Sequence, residues 1–319
     1  MNSSFTLWYQ KAKESEDIPS VDIHLNLWIN NDKQDDSIDI GFMIKNPKLI
    51  KELYLYVPFD IEETDINNLI RVLSDNKGLS SLVFNEDIAF GRIIGEVQDV
   101  TRGDTNFQYY LIDCTVLDKL DDITLNSGKI LKFIFDENIA DKDTYIRFRI
   151  SNLKNKGIVE YYQKTVSSIS GTYNTLTSIE INFNEFRKLP SNIHQKAHHK
   201  HIKISLVNLF IMTDIHMEYI FSNINNVKSR ILEKEKWIDY NQKLNENKSD
   251  KILAYQFKEK PKNDTDFLNE FAIFSKFNHE GAKRLSIIIA LLVALGLGIV
   301  GSITASYISN DCPKEERGI

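Results

Sequence analysis

Cysteine, proline and glycine are scarce in this sequence, whose 319 residues include 2 Cys, 6 Pro and 13 Gly. With only Cys114 and Cys312 available, a secreted scaffold held together by several disulfides is excluded. The low content of glycine and proline excludes collagen-like and low-complexity chains. Hydrophobic residues make up 42% of the chain and aromatic residues 11%, which is enough to fill the core of one large domain or two ordinary ones.

Sequence motifs of the common enzyme classes are also absent. The chain contains no P-loop, no G-x-S-x-G, no H-E-x-x-H and no kinase motifs. One G-x-G-x-x-G occurs at Gly296, Gly298 and Gly301, but it lies inside an apolar run with no preceding strand, so it does not predict dinucleotide binding. We therefore predict that the protein is not an enzyme and needs no cofactor.

Acidic residues outnumber basic ones, with 45 Asp and Glu against 39 Lys and Arg, which gives a formal net charge of −6. A negative surface repels phosphate backbones and anionic membranes. General nucleic-acid binding is therefore not expected.

An apolar segment extends from Leu285 to Ile308 and covers 24 residues without one charged side chain. As a helix it would be roughly 36 Å long, compared with about 30 Å for the hydrocarbon core of a bilayer. We predict a transmembrane helix at residues 282–308, followed by a short tail at 309–319. Because the N-terminus lacks a basic segment leading into an apolar one, residues 1–284 are expected to stay cytoplasmic, with the tail on the far side of the membrane. This is the arrangement of a tail-anchored, single-pass protein.

Small residues recur at every fourth position within this run. The stripe consists of Ala290, Ala294, Gly298, Ser302 and Ser306. Small side chains allow helix backbones to approach closely in a membrane. The stripe predicts a homo-oligomer formed through the transmembrane helix, and the sequence leaves open whether that helix only anchors or also lines a pore.

The N-terminal two thirds of the chain has the period-two hydrophobic pattern of β-strands. Three such stretches, at 21–29, 38–44 and 53–61, predict an antiparallel meander. Further strands are predicted at 91–98, 107–117, 130–135, 144–150, 178–183 and 202–211. We assign residues 1–215 to a mainly β, antiparallel β-sandwich body of jelly-roll-like type, with two immunoglobulin-like units split near 101–104 as the alternative. Since the stretch 202–211 is apolar on both faces, it is predicted to be a central strand.

Helical periodicity replaces this pattern farther along the chain. Residues 226–244 predict a helix within a helical segment, 216–250, that packs on the body. Residues 251–281 are interpreted as a linker followed by a juxtamembrane aromatic helix. That helix would place four phenylalanines on one face, namely Phe267, Phe271, Phe274 and Phe277.

A local basic segment offers the first candidate binding site. Residues 186–213 contain no acid, and they include the candidate anion ligands Lys196, Lys200, Lys203, His194, His198, His199 and His201. We predict a loop that leads into a strand and captures an anion, with a solvated polar loop as the alternative. No metal site is predicted, because the segment has no cysteine or carboxylate to join its histidines.

Arg147 and Arg149 form the second candidate. They alternate with apolar residues, so both guanidinium groups are predicted to project from one face of a strand. The pair could bind an anion as a fork. The alternative is a solvated face on which both arginines pair with an acid of the next strand.

Together these features predict a tail-anchored membrane protein whose cytoplasmic β-rich module binds or senses a ligand and acts through self-association. Its expected partners are the lipid bilayer, further copies of the chain, and a small anionic ligand or a cytoplasmic protein. One specific version is a membrane-perturbing effector of bacterial antiviral defence. The alternatives are a passive membrane-localised scaffold or adaptor, and a membrane-tethered enzyme of unrecognised type.

Overall fold

The computed structural model describes residues 4–13, 16–30, 35–120, 123–125, 127–136, 139, 141–167, 172–198, 200–225, 227–246, 251–263, 266–282 and 284–310. Its strands are β1 (Thr6–Lys11), β2 (Ser20–Trp28), β3 (Ser37–Lys45), β4 (Ile50–Val57), β5 (Ile66–Asn68), β6 (Ile88–Ile94), β7 (Val97–Arg102), β8 (Thr105–Tyr110), β9 (Thr115–Leu117), β10 (Lys119–Leu120), β11 (Ile123–Thr124), β12 (Lys129–Ile134), β13 (Thr144–Ile150), β14 (Val159–Ser167), β15 (Thr172–Phe183), β16 (Lys203–Asp214), β17 (Met217–Ser222), β18 (Lys228–Glu233), β19 (Lys251–Glu259) and β20 (Phe271–Ala282). Its α-helices are α1 (Leu69–Asp75), α2 (Lys77–Phe84), α3 (Ser191–His198) and α4 (Arg284–Asn310). Short 3-10 helices lie at Pro47–Leu49, Glu63–Asp65, Phe186–Lys188, Lys234–Trp237 and Gln242–Glu246. The chain is mainly β, as the sequence predicted.

A ten-stranded sheet organises the fold. Its order is β18-β19-β16-β2-β3-β13-β8-β7-β6, and β5 pairs with β13 beside this path. The pairs β16 with β2 and β13 with β8 are parallel, whereas β2 with β3 and β3 with β13 are antiparallel. The sheet is therefore mixed, which corrects the prediction of a purely antiparallel body.

One face of this sheet is continuously apolar. On it Ile23 of β2 lies opposite Phe42 of β3, and Phe42 lies opposite Ile146 of β13. A second sheet, of order β1-β4-β12-β9, faces it, and the rings of Phe133 on β12 and Phe148 on β13 are 5.5 Å apart. This contact between two sheets forms the hydrophobic core.

The opposite face of the ten-stranded sheet, here called the polar face, carries Asp39, Arg147 and Arg149 among apolar side chains, and parts of it are covered. Helices α1 and α2 pack over one part of it, and the segment 234–246 packs over another. Trp28, at the end of β2, lies within the same hydrophobic cluster as Trp237 and Tyr240 of that segment. Asp39, Arg147 and Arg149 on this face are therefore enclosed rather than solvated.

The chain divides into two compact units. The first comprises Met1–Glu160, Ser178–Ile215 and Ile220–Lys276, and the second comprises Tyr161–Thr177, His216–Tyr219 and Phe277–Ile319. A third sheet has the order β14-β15-β20-β17. Residues 101–104, near which we considered a boundary between two immunoglobulin-like units, form the end of β7 and its turn to β8 inside the first unit.

The predicted meander is wrong at its third strand. Strand β4 pairs with β1 and β12 instead of β3. Asn46 adopts a left-handed conformation with φ of 56°, and the 3-10 helix Pro47–Leu49 follows it. This turn carries the chain from the ten-stranded sheet to the second one. The central position predicted for 202–211 is confirmed, because β16 lies between β2 and β19.

The predicted helix at 226–244 is also wrong. Residues 228–233 form β18, an edge strand paired with β19, and two 3-10 helices follow it. Trp237, Tyr240 and Leu244 are buried at spacings of three and four. Short 3-10 turns, and not an α-helix, produce these spacings.

The segment 251–281, predicted as a linker and a juxtamembrane aromatic helix, contains two strands instead, β19 and β20. In β20 the alternate residues Phe271, Ile273 and Ser275 are buried, whereas Phe274 is half-buried. The spacing of the phenylalanines fits a helix, and part of it also fits a strand. Pairing with neighbouring strands determines that the segment is a strand.

The predicted transmembrane helix, 282–308, is helical from Arg284 as α4, whereas Ala282 ends β20, and the structure does not support its membrane-spanning part. Its large apolar side chains are exposed, with Leu291, Leu295 and Leu297 each at least 60% accessible. Side chains of α4 are described at position 288 and from 291 to 307, and no helix in the described part of the chain combines the length and hydropathy of a bilayer span.

Candidate ligand-binding site

Asp39 of β3 lies at the centre of the polar face and is fully buried. Arg149 donates to it through two bonds, Nε to Oδ1 at 2.6 Å and Nη2 to Oδ2 at 3.2 Å. Trp28 Nε1 donates to Oδ2 at 2.8 Å, and the Tyr240 hydroxyl donates to the same oxygen at 2.9 Å. These donors compensate the carboxylate for the loss of water.

Arg147, two residues before Arg149, is held beside this carboxylate. Its Nε donates to the Tyr240 hydroxyl at 2.7 Å, and its Nη1 donates to the Tyr145 hydroxyl at 2.8 Å. Its Nη2 lies 3.7 Å from Asp39 Oδ2. The guanidinium is thus fixed in place, with 2% of the residue accessible.

Gly41 makes this arrangement possible. It lies opposite Arg147 on the neighbouring strand. An added Cβ there would collide with the hydroxyl of Tyr145 and would lie 3.1 Å from Arg147 Nη1. The missing side chain of Gly41 therefore provides the space that both groups occupy.

This buried cluster contains two guanidinium groups and one carboxylate, so it carries one excess positive charge. Burial works to raise the pKa of Asp39, but the adjacent Arg149 and Arg147 together hold it below its usual value. Burial works to lower the pKa of Arg147, but Tyr145, Tyr240 and Asp39 raise it above its usual value. All three groups are therefore ionised at neutral pH.

A cavity of about 540 Å³ lies on the same face, and Arg147 forms part of its wall. Ligand sites for small molecules have volumes of roughly 300–1,000 Å³. The basic residues that line the cavity are Arg102, Arg147, Lys228, Arg230 and Lys258. Glu86 is its acidic lining residue.

Strand register explains how distant parts of the sequence meet here. One row across the sheet runs from Lys258 through Asn208, His24 and Gly41 to Arg147. Since successive residues of a strand point to opposite faces, every member of this row lies on the polar face. The cavity therefore has a floor that five strands build.

Two arginines lie against aromatic rings in this cavity. The Arg230 guanidinium is 5.8 Å from the centre of the Phe210 ring, and its Nη1 donates to Asn85 Oδ1 at 2.8 Å. The Arg102 guanidinium is 5.6 Å from the centre of the Phe84 ring. Both cations are thus oriented by aromatic faces.

Basic side chains outnumber acidic ones around the cavity by five to one. Arg102 Nε lies 3.7 Å from Glu86 Oε2, but within the described residues neither Lys228 nor Lys258 has a carboxylate within 4.0 Å. Burial, together with the charges of Arg147, Arg102 and Lys258, lowers the pKa of the half-buried His24 to about 3. At neutral pH His24 is uncharged. A site with this charge distribution attracts an anion.

For Arg147 and Arg149, the structure agrees with one part of the second alternative drawn from the sequence, and binding of an external anion by the pair stays a prediction. Their pairing with an acid of the next strand is observed, since Asp39 lies on β3. The predicted solvated face is wrong, because only 1% of the Arg147 side chain and 8% of the Arg149 side chain are accessible. Coverage by Trp28, Trp237 and Tyr240 is the physical reason.

The basic segment 186–213 has a different local structure from the predicted loop. Lys196 lies in α3, Lys200 follows that helix, and Lys203 begins β16 with its Nζ 4.6 Å from the Phe267 ring centre. The rings of three histidines, His194, His198 and His201, surround the Phe186 ring at 5.7 to 5.8 Å. His199 lies outside the described residues. Anion capture by this segment stays a prediction.

Most cavity residues were not identified from the sequence. His24 alternates with apolar neighbours and was interpreted as an ordinary polar position of a half-buried strand, whereas Asn208 lies in a stretch interpreted as apolar on both faces. The signal that could have revealed His24 is Trp28, which shares its face of β2 and indicates that the face is covered. Lys228 and Arg230 were missed because their segment was predicted to be helical.

Compared with protein-family models and with curated proteins, the sequence matches none of them.

Proposed function

We propose that this protein is a membrane-anchored binding module that captures a small anionic ligand in the cationic cavity of its first unit. The observation that carries the proposal is a cavity of about 540 Å³ that is lined by five basic residues and one acidic residue. The two facing sheets act as a sandwich-like frame that holds these side chains in register. The buried charge of the Asp39, Arg147 and Arg149 cluster strengthens the attraction, because it is poorly screened by solvent.

The membrane part of the proposal rests on α4. Its sequence from Leu285 to Ile308 holds 24 residues without a charged side chain. Its described apolar side chains are exposed, and apolar surface of this extent is normally covered by lipid or by another protein. We assign α4 to a single-pass anchor with the binding unit on the cytoplasmic side, and its small-residue stripe to self-association.

Ligand binding is tested on the full chain in detergent by thermal shift with tripolyphosphate and with ATP at low and high salt. Both are strong anions, and a genuine site should give stabilisation that weakens as salt is added. The charge-reversal variant Lys228→Glu/Lys258→Glu should weaken binding by about tenfold or more, because it changes the local charge by four units.

The matched control is Lys196→Glu/Lys200→Glu, which makes the same change of charge in the segment around α3. It should bind as the parent does. If the control loses binding and the cavity variant keeps it, the basic segment 186–213 is the anion site and the cavity is not. If neither anion stabilises the parent at low salt, the binding function is wrong.

Anchoring is tested by fractionating cells that express the full chain and washing the membranes at alkaline pH. The parent should stay in the membrane pellet. The variant Leu292→Arg/Ile299→Arg should be released, since each arginine in the middle of a span costs about 2.5–3.5 kcal/mol on insertion scales. Release of the parent protein from the membranes would show that α4 is not an anchor. The proposal of anion binding would not be affected by that result.

A further inference from the structure

We infer that the anion bound in the cavity is a nucleotide, with phosphates held by the basic residues and a base held by the aromatic and amide side chains. This inference rests on the proposed anion-binding function and names the chemical class of its ligand. Four properties of the cavity support it: its volume, its aromatic walls, its amides and the distribution of its charges.

The volume exceeds what a simple inorganic anion needs. A water molecule occupies about 30 Å³ in the liquid, so a cavity of about 540 Å³ has room for many non-hydrogen atoms. An isolated phosphate would leave most of this space to water. A nucleotide has the size of ligands found in cavities of this class.

The aromatic walls favour a planar ring over a purely ionic ligand. Phe84 and Phe210 both line the cavity, and each has a guanidinium against its ring. Nucleic-acid bases stack on aromatic rings and on guanidinium planes. Leu206 and Val83 add apolar surface that an inorganic phosphate could not use.

Amide side chains lie beside Phe210 on the cavity floor. Gln256 Nε2 donates to Asn208 Oδ1 at 2.9 Å, which fixes the orientation of both amides relative to each other. The same contact leaves Asn208 Nδ2 as a donor and Gln256 Oε1 as an acceptor at the cavity. A donor and an acceptor in fixed positions suit the edge of a base, which presents both kinds of group.

Some basic groups lie directly beside the amides, since Lys258 is opposite Asn208 and Lys228 is opposite Gln256, and others lie farther along the cavity. Lys258 and Arg147 lie at opposite ends of one row, four strand spacings apart, which is roughly 19 Å between backbones. Arg102 lies in another part of the wall, against the Phe84 ring. A ligand that carries both several charges and a planar ring matches this arrangement.

The test measures binding of ATP, GTP, NAD, tripolyphosphate and adenosine to the full chain in detergent by calorimetry. We expect at least one of the three nucleotides to bind about tenfold or more tightly than tripolyphosphate, and adenosine to bind weakly for lack of phosphate. Phe210→Leu should remove this preference while leaving tripolyphosphate binding nearly unchanged, because leucine keeps the apolar volume and loses the stacking face.

Phe274→Leu is the matched control, since Phe274 is another half-buried phenylalanine of a strand with a cation, Lys276, 5.3 Å from its ring centre. It should keep the preference. Equal affinity of tripolyphosphate and all three nucleotides would overturn the nucleotide inference and leave anion binding intact. Retention of the full preference by Phe210→Leu would also overturn it. Absence of binding by every anionic probe would overturn the proposed function itself.

Discussion

Asp39 balances the charge of two buried arginines, so its removal should be far more damaging than the loss of an ordinary ion pair. Asp39→Asn keeps the shape of the side chain but leaves Arg147 and Arg149 buried without a carboxylate. Breaking a buried pair in this way costs about 3–5 kcal/mol of unfolding free energy. Denaturant unfolding of the full chain in detergent, followed by tryptophan fluorescence, measures this loss.

Asp99→Asn provides the control for that substitution. Asp99 pairs with Lys142 at 2.7 Å, but 46% and 41% of the two side chains are accessible. Because solvent screens such pairs, the loss should be within about 1 kcal/mol. Similar losses in both variants would show that Asp39 does not balance the two buried arginines.

His24 gives the folded protein a specific sensitivity to acid. Its pKa is about 3 in the folded state, whereas an unperturbed histidine has a pKa of 6.5. The unfolded chain therefore binds the proton more readily between these values, and stability falls as the pH is lowered from about 6.5 towards 3. Between pH 7.5 and pH 5 this group alone should remove about 2 kcal/mol.

The variant His24→Gln isolates this contribution, because the other histidines are common to both proteins. Denaturant unfolding of parent and variant at several pH values should show a shallower decline for the variant over this range. Parallel declines would mean that His24 is not held uncharged by the cations of the cavity.

The sequence predicted part of this chemistry and missed the rest for a physical reason. Arg147 and Arg149 were identified because alternation along one strand places them on a single face. Their partner Asp39 lies on a strand far away in the sequence, and Tyr240 comes from a segment whose type was mispredicted. Local patterns determine the faces of strands, but pairing between distant strands determines which side chains meet.

Strand β20 shows how two valid patterns compete in one segment. Phenylalanines at 271, 274 and 277 fit a helix, whereas Phe271, Ile273, Ser275 and Phe277 fit a strand and are all buried. Hydrogen bonds with a neighbouring segment settle the matter, since Phe274 N donates to Asn223 Oδ1 at 2.8 Å and Phe274 O accepts from Asn223 N. Long-range partners of this kind cannot be read from a single segment.

A pair of substitutions distinguishes the strand from the helix in solution. Ile273→Lys should destabilise the protein by about 3 kcal/mol or more, because it buries an unpaired charge. Phe274→Lys should cost no more than about 1 kcal/mol, since its position is partly open to solvent. Denaturant unfolding of both variants measures the contrast. An aromatic helical face would reverse the order, with Phe274→Lys the more damaging.

The overall topology was less predictable than its parts. Many strands were located from alternation, and the central position of β16 followed from its two apolar faces. The order of the ten-stranded sheet was not predicted, because its parallel pairing of β2 with β16 joins segments separated by most of the first unit. Since the cavity is built across this pairing, the site could not be predicted without the topology.

The stripe of small residues on α4 predicts self-association, and substitutions in the stripe can test it. Ala294, Gly298 and Ser302 lie four residues apart and so share one face of the helix. A Cβ added at Gly298 would meet no other atom within 4 Å, so a larger side chain is accommodated within one chain. Ala294→Ile/Gly298→Ile should therefore leave the monomer intact and obstruct close approach of a second helix.

Cross-linking in native membranes should give a lower yield of oligomer for this variant, whereas Leu292→Ile, which adds no bulk to the stripe, should cross-link as the parent does. Equal yields from the double variant and the parent would mean that α4 does not associate through the small residues.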